Sequence, residues 1–229
     1  EIEKFVASDS FKNDIKKYIE KNDLPHLIFW GDTGCGKTTI IKLLSQNLDC
    51  DYIFLNASDE NGIDVIREKV KNFASSASFK SIKLVLLDEA GNLSPEAQAA
   101  LYNIIEAYSK TTRFLFTTNH IEKIAKPIQS RCTIFNLKPP SEEHVFNFCC
   151  KILDLEGVDF SRLDLKSVIS NYYPDIRKVV GALQQMSLSG KLIFEKDLFS
   201  RDYILEVINS LKTSKSAYSE IRQIITDNN

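Results

Sequence analysis

The run Gly31-Asp32-Thr33-Gly34-Cys35-Gly36-Lys37-Thr38 restricts the folds open to this chain more than any other stretch. It fits G-x-x-x-x-G-K-[ST], a loop whose backbone amides surround phosphate oxygens. Such a loop works between a strand and a helix, because the helix N-terminus adds its dipole to the anion nest. Both flanks fit. Leu27-Ile28-Phe29-Trp30 is a short apolar run, and Ile40, Ile41, Leu43, Leu44 and Leu48 follow with helical spacing. Residues Gly31, Asp32, Thr33, Gly34, Cys35, Gly36, Lys37, Thr38 and Thr39 are therefore expected to bind a nucleoside triphosphate. Lys37 would reach the β- and γ-phosphates, and the Thr38 hydroxyl would hold Mg²⁺. A glycine-rich turn with a surface lysine is the alternative, and the flanking patterns weigh against it.

The rest of the first half alternates in the same way. Ser8 or Asp9 can cap a first helix carrying Phe11, Ile15, Tyr18 and Ile19 on one face. A second strand is predicted at Tyr52–Leu55, then a helix after Gly62 with Ile63, Ile66, Val70 and Phe73 on its apolar stripe. Residues 82–87 read as a continuous apolar run, the mark of a strand buried on both faces. Ser94-Pro95 opens a further helix as N-cap and first-turn proline. Strands are predicted at Arg113–Thr118 and Cys132–Leu137. Alternating strands and helices imply a parallel sheet with helices on both faces.

Pro139-Pro140 breaks this rhythm. Beyond it the patterns are helical only, at 141–156, 164–171, 175–189, 196–211 and 216–226. The expected fold class is α/β: a nucleotide-binding core with a five-stranded parallel sheet over 1–138, then an all-helical domain over 139–192. Residues 193–229 begin a further helical segment.

Composition removes several classes. At 229 residues, 43% hydrophobic and 26% charged, the chain has the balance of a soluble globular protein. No apolar run approaches a membrane span, and Glu1-Ile2-Glu3-Lys4 lacks a signal-peptide pattern. A net charge of −2 argues against coating nucleic acid without specificity, while leaving room for a local basic groove. Five cysteines with no C-x-x-C pair read as free thiols of a reducing compartment.

Strand 82–87 ends in Asp88-Glu89, where parallel sheets bind their ligands. Asp88 would hold Mg²⁺ through water, and Glu89 would polarise the attacking water. Alternatively, the pair is a favourable acidic start to the next helix. Asn119, after strand 113–118, reads equally as a turn residue or as a polar group between γ-phosphate and water. Arg131 and Arg177 are, by themselves, unassigned surface charges.

Together these segments resemble the AAA+ ATPases, and within them the clamp-loader subunits of the replication factor C type. Asp23-Leu24-Pro25-His26-Leu27-Ile28-Phe29 resembles that family's "NLPHLLF". The segment from Asn56 to Arg67 (NASDENGIDVIR) resembles its "NASDxRGIDVIR", and Ser130-Arg131-Cys132 its "SRC". Phe73–Phe79 is similar to the corresponding segment of the T-even-phage clamp-loader ATPases, which points to a phage-type subunit. The resemblance covers residues 5 to about 190.

It implies an ATP- and Mg²⁺-dependent hydrolase. Asn119 would be sensor 1, Arg131 an arginine finger reaching a neighbouring subunit's ATP, and Arg177 sensor 2 on the helical lid. The implied partners are other clamp-loader subunits in a ring or spiral, a sliding clamp and primer–template DNA. The helix near Gly62 would face that DNA through Gly62, Ile63, Arg67 and Lys71. The implied location is the cytoplasm of a bacterium or phage-infected host, or a eukaryotic nucleus, with no membrane partner. Residues 193–229 would begin the collar of such assemblies.

Some positions depart from the family. Asp32 and Thr33 stand where prolines are usual, Ala90-Gly91 follows Glu89, and Tyr102-Asn103 replaces a common arginine pair. A non-catalytic clamp-loader scaffold, or another AAA+ machine such as a helicase loader or branch-migration motor, are the competing functions.

Overall fold

The computed structural model describes Phe5, residues 9–59 and residues 61–194. The helical patterns at 196–211 and 216–226, and nearly all of the 193–229 segment, lie outside the described residues.

Five strands form one sheet: β1 (Leu27–Trp30), β2 (Cys50–Asn56), β3 (Ile82–Asp88), β4 (Thr112–Thr118) and β5 (Thr133–Asn136). Their order is β2-β3-β4-β1-β5, and every pairing is parallel. Successive side chains of a strand point to opposite faces, so a strand buried on both sides feeds two cores. On β3, Leu84 and Leu86 join Ile15 of α1 (Asp9–Lys21) and Ile40, Ile41 and Leu44 of α2 (Lys37–Asn47). Val85 and Leu87 join the other core, with Ile66, Val70 and Ala74, and with Leu101 and Ile105 of α5 (Pro95–Tyr108). Burying each of these large aliphatic side chains contributes about 1.5–3 kcal/mol before entropy is counted.

The stretch after Gly62 is helical but irregular: α3 (Ile63–Val65), a π-helical turn (Ile66–Val70) and α4 (Lys71–Ser75). The wider turn lines up residues four apart. Ile66, Val70 and Ala74 form the buried row, and Phe73, expected on it, lies at its edge. Ser94 caps α5 as its sequence position predicts, its hydroxyl accepting from Ala97 N at 3.2 Å.

Residues 82–87 are fully buried, yet they include Lys83, which is only 4% exposed. Its stem lies in the core and its amino group reaches the C-terminal end of α4. There Nζ donates to Phe73 O at 2.9 Å, Ala74 O at 3.2 Å and Ser76 O. A cation at a helix C-terminus satisfies carbonyls that have no helical partner. The run is thus apolar with one cation fully enclosed by acceptors.

The described residues form two compact units. One runs to His144 and takes in Pro174–Ile176; it holds the sheet, its flanking helices and α6 (Lys126–Gln129). The other comprises Val145–Tyr173 and the stretch from Arg177, with most of α7 (Glu142–Leu155), all of α8 (Arg162–Tyr172) and most of α9 (Ile176–Met186). Val145, Cys149, Leu153, Leu165, Val168 and Val179 are buried in it.

Candidate active site

The glycine loop joins the C-terminal end of β1 to the start of α2. Gly36 is the N-cap of α2 in a left-handed conformation, and no side chain caps the helix there. The first amides of α2 are thus left for an anion. Gly34 has φ +79°, and a Cβ on it would fall 1.9 Å from Oδ1 of Asp175. Both the backbone geometry and the space exclude a larger residue.

Lys37 is buried, with its amino group inside the loop. Nζ donates to Gly31 O at 2.9 Å and Asp32 O at 2.6 Å, and lies 3.7 Å from Cys35 Sγ. Burial pushes the Cys35 thiol up, with Lys37 opposing. The loop thus holds the cation through carbonyls and a thiol, partners that phosphate oxygens can outcompete. Asp32, Thr33 and Thr39 are exposed.

Thr38 and Asp88 are 50 residues apart in sequence, and the fold joins them. Thr38 Oγ1 lies 2.8 and 2.9 Å from the two Asp88 carboxylate oxygens. Together they present hard oxygen ligands suited to Mg²⁺, which takes one or two carboxylates and completes its shell with water and phosphate. Among the described residues, no group of three or more His, Cys, Asp or Glu could hold a metal by itself.

Thr117, which sequence reasoning missed, completes this arrangement. Its hydroxyl donates to Asp88 Oδ1 and accepts from Glu89 N at 3.0 Å. Phe116 is in register with Leu87, so the next residue on β4 falls beside Asp88. A hydroxyl residue at the C-terminal end of the strand before Asn119 was the available signal.

Glu89 has φ +52°, left-handed for a residue with a side chain. This turns it out of β3 at the strand end. Its carboxylate accepts from Ser58 Oγ and from Asn92 Nδ2 at 3.3 Å, and Asn92 also donates to Ser58 Oγ at 2.8 Å. Ser58 and Asn92 were also missed. The first lies in the segment leading from β2 to α3, so the Glu89 carboxylate is tied to the chain just ahead of that helix.

Asn119 is exposed, immediately after β4, at the same end of the sheet as Asp88 and Glu89. Buried Gln98 positions its neighbourhood: Nε2 donates to Leu93 O at 3.2 Å and Lys123 O at 3.0 Å, and Oε1 accepts from Ala125 N at 2.7 Å. This side chain joins α5 to the segment that follows Asn119. Of the expected DNA-facing residues, Arg67 and Lys71 are exposed, Gly62 is the extended N-cap of α3, and Ile63 is half-buried. Arg177 is exposed near the start of α9, in the helical unit.

Arg131 lies apart from the glycine loop, Asp88, Glu89 and Asn119. It precedes β5, whose first residue, Thr133, is in register with Leu27 at the start of β1. The glycine loop follows Trp30, at the far end of β1. Arg131 thus lies at the N-terminal end of the sheet. Its Nη2 donates to Tyr102 Oη at 2.6 Å and to Glu106 Oε1 at 3.2 Å.

The model of the AAA family (ATPase family associated with various cellular activities) matches residues 27–140. The chain is 37% identical to the replication factor C small subunit of Archaeoglobus fulgidus, over 84% of this chain and 62% of that protein. It is 42% identical to the replication factor C small subunit of Aeropyrum pernix, over 78% of this chain and 57% of that protein. With the replication factor C small subunit of Natronomonas pharaonis it shares 33% identity, over 99% of this chain and 68% of that protein. The chain spans about 62% of the length of the first of these relatives. Among solved structures, the Thermotoga maritima RuvB Holliday junction branch migration motor matches with a TM-score of 0.70, over 93% of this chain and 72% of that one. Its identity of 14% makes this a likeness of fold alone. With its phosphate loop, its Thr38–Asp88 pair and these relatives, the chain belongs to the replication factor C small-subunit family of AAA proteins.

Proposed function

We propose that this chain is the ATP-hydrolysing core of a sliding-clamp loader subunit. ATP binding would assemble it with other subunits into a spiral that opens a clamp and grips primer–template DNA. Hydrolysis would then release both. The observation that carries the reading is the Thr38–Asp88–Thr117–Glu89 arrangement, set beside a buried lysine inside a glycine loop. A non-catalytic scaffold has no need to keep all of these groups.

Bound Mg²⁺–ATP would supply the electrophilic γ-phosphate and neutralise part of its charge. The chain's residues would do the rest. Lys37 would exchange the carbonyls of Gly31 and Asp32 for phosphate oxygens. Thr38 and Asp88 would hold the metal, with Thr117 keeping the Asp88 carboxylate in place. Glu89 would orient the attacking water and take its proton, and Asn119 would hold that water against the γ-phosphate. Arg177 would sense the same phosphates from the helical lid.

Arg131, at the opposite end of the strands, serves a neighbour's nucleotide better than its own. Its guanidinium would stabilise charge developing on that γ-phosphate, so full activity would need a docked subunit. Exposed Arg67 and Lys71 would contact DNA phosphates, with Gly62 and Ile63 at the helix start. Such contacts carry no sequence information, as suits loading at any primed site. The setting would be the cytoplasm of a bacterial or phage-infected cell, or a eukaryotic nucleus.

The test is ATPase activity of the full-length protein, assembled with its partner subunits, with and without clamp and primed DNA. Stimulation by both is expected. Lys37→Ala should abolish nucleotide binding, and Glu89→Gln should bind ATP without turning it over. Unchanged hydrolysis in both variants would overturn the reading.

A further inference from the structure

Arg131 is held by several groups near it in the fold. Nη2 donates to Tyr102 Oη at 2.6 Å and to Glu106 Oε1 at 3.2 Å. Nη1 lies 3.3 Å from Pro127 O and 3.5 Å from Ser130 Oγ. The guanidinium also stacks over the Tyr102 ring, its carbon 4.3 Å from the centroid. Tyr102 and Glu106 lie four residues apart on α5, so they present a ring and a carboxylate from one helix face. Arg131 also lines a cavity of about 550 Å³ whose other charged residues are Asp14, Lys17, Lys21, Asp23 and Arg113.

We infer that Tyr102 and Glu106 form a latch that holds Arg131 in a charge-neutralised position, and that a neighbouring subunit's phosphates must displace Glu106 to use it. This rests on the cross-subunit role proposed for Arg131. The physical reason is competition for two N–H groups. A terminal guanidinium nitrogen has two hydrogens, and Nη2 already has two acceptors, Tyr102 Oη and Glu106 Oε1. A carboxylate beside the same guanidinium also cancels the charge that an incoming phosphate needs to meet. The two contacts differ in kind. The ring can stay under the guanidinium while it turns, because stacking needs no particular in-plane orientation. The carboxylate must be left behind.

The latch is weak by construction. Arg131 is 32% exposed and Glu106 60% exposed, so their attraction is screened by solvent. Pairs of this kind favour the bound arrangement only about two- to fivefold. Bidentate contact with a phosphate is stronger, so a docked neighbour can displace the carboxylate, but the competition still costs that two- to fivefold factor.

The experiment uses the full-length protein assembled with its partner subunits, without DNA or clamp, and reads kcat and KM for ATP. Glu106→Gln should raise kcat roughly two- to fivefold with KM unchanged, because only the cross-subunit contact is released. Tyr102→Phe, which keeps the ring and removes the acceptor, should raise kcat by less. In an Arg131→Ala background neither change should alter the rate. A kcat at or below the parent's for Glu106→Gln overturns the latch. If that variant fails to assemble, Tyr102→Phe decides by the same criterion. Should Arg131→Ala itself leave the parent rate unchanged, the cross-subunit role fails. Should it lower the rate while Glu106→Gln raises nothing, only the latch fails.

Discussion

The two ends of the parallel sheet are built from different chemistry. At the C-terminal end, Lys37, Asp88 and Thr117 are buried, Lys37 bonded to loop carbonyls and Asp88 to the hydroxyls of Thr38 and Thr117. At the N-terminal end two partly exposed arginines are each paired with a carboxylate as well as with neutral oxygens. Arg113 donates to Leu24 O at 2.7 Å, Ser109 O at 2.5 Å and Asp23 at 3.1 Å, and Arg131 to Tyr102 and Glu106. Buried neutral partners hold a site in shape for a ligand that brings its own charge. Partly exposed ion pairs are cheap to exchange, which suits a surface that meets another molecule. Under the proposed function, one end would take the nucleotide and the other would meet a neighbour.

The largest effects should separate the ends. Arg131→Ala should lower the turnover of an assembled complex by about 10³-fold or more, the scale of a lost arginine finger, while the chain's own ATP affinity stays unchanged. Lys37→Ala should do the reverse, abolishing nucleotide binding by its own chain while Arg131 still serves the neighbour. Mixed assemblies, with one variant subunit at a time, read both outcomes. If Arg131→Ala weakened ATP binding to its own chain, the division between the ends would collapse. Next comes Glu89→Gln, with hydrolysis down about 10²–10⁴-fold and binding retained, measured by single turnover.

His26 sharpens the comparison through pH. It is buried, and burial together with Arg113 lowers its pKa from 6.5 to about 4. Its Nδ1 accepts from Phe114 N at 3.1 Å, which requires the neutral ring. The unfolded chain protonates first. The stabilisation is therefore complete above pH 6.5 and is lost as pH falls towards 4. Urea unfolding should show about 2 kcal/mol lost between pH 7 and pH 5, and His26→Gln should flatten that dependence. At the nucleotide end, Thr117→Val keeps the shape but strands Glu89 N–H and removes a donor from Asp88. It should cost about 1–2 kcal/mol by the same measurement, with little change between pH 5 and pH 7.

Much of the molecule was legible because the signals are local. A strand buried on both faces needs a long apolar run, so β3 could be placed at residues 82–87 and its end at Asp88-Glu89 identified. The cap at Ser94 and the loop at Gly31–Thr38 are equally local. Other features were not legible. Thr117, Ser58 and Asn92 are common polar residues whose roles depend on strand register and on the turn taken at Glu89. Lys83 reads as a flaw in an apolar run until the end of α4 is placed against it. The π-helical turn at Ile66–Val70, whose Ile66 and Val70 share a core with Leu101 and Ile105 of α5, has no signal in a short window of sequence.

Sequence by itself determined the order of strands and helices, the phosphate loop and the acidic strand end. These follow from side-chain periodicity and from conformations that only glycine or proline adopt readily. Tertiary structure alone decided which residues meet. It brought Thr38 to Asp88, set Thr117 between Asp88 and Glu89, and placed Arg131 at the end of the sheet away from the loop, in the grasp of Tyr102 and Glu106. The reason is that hydrogen bonds and ion pairs act over about 3 Å in space, whatever the separation along the chain.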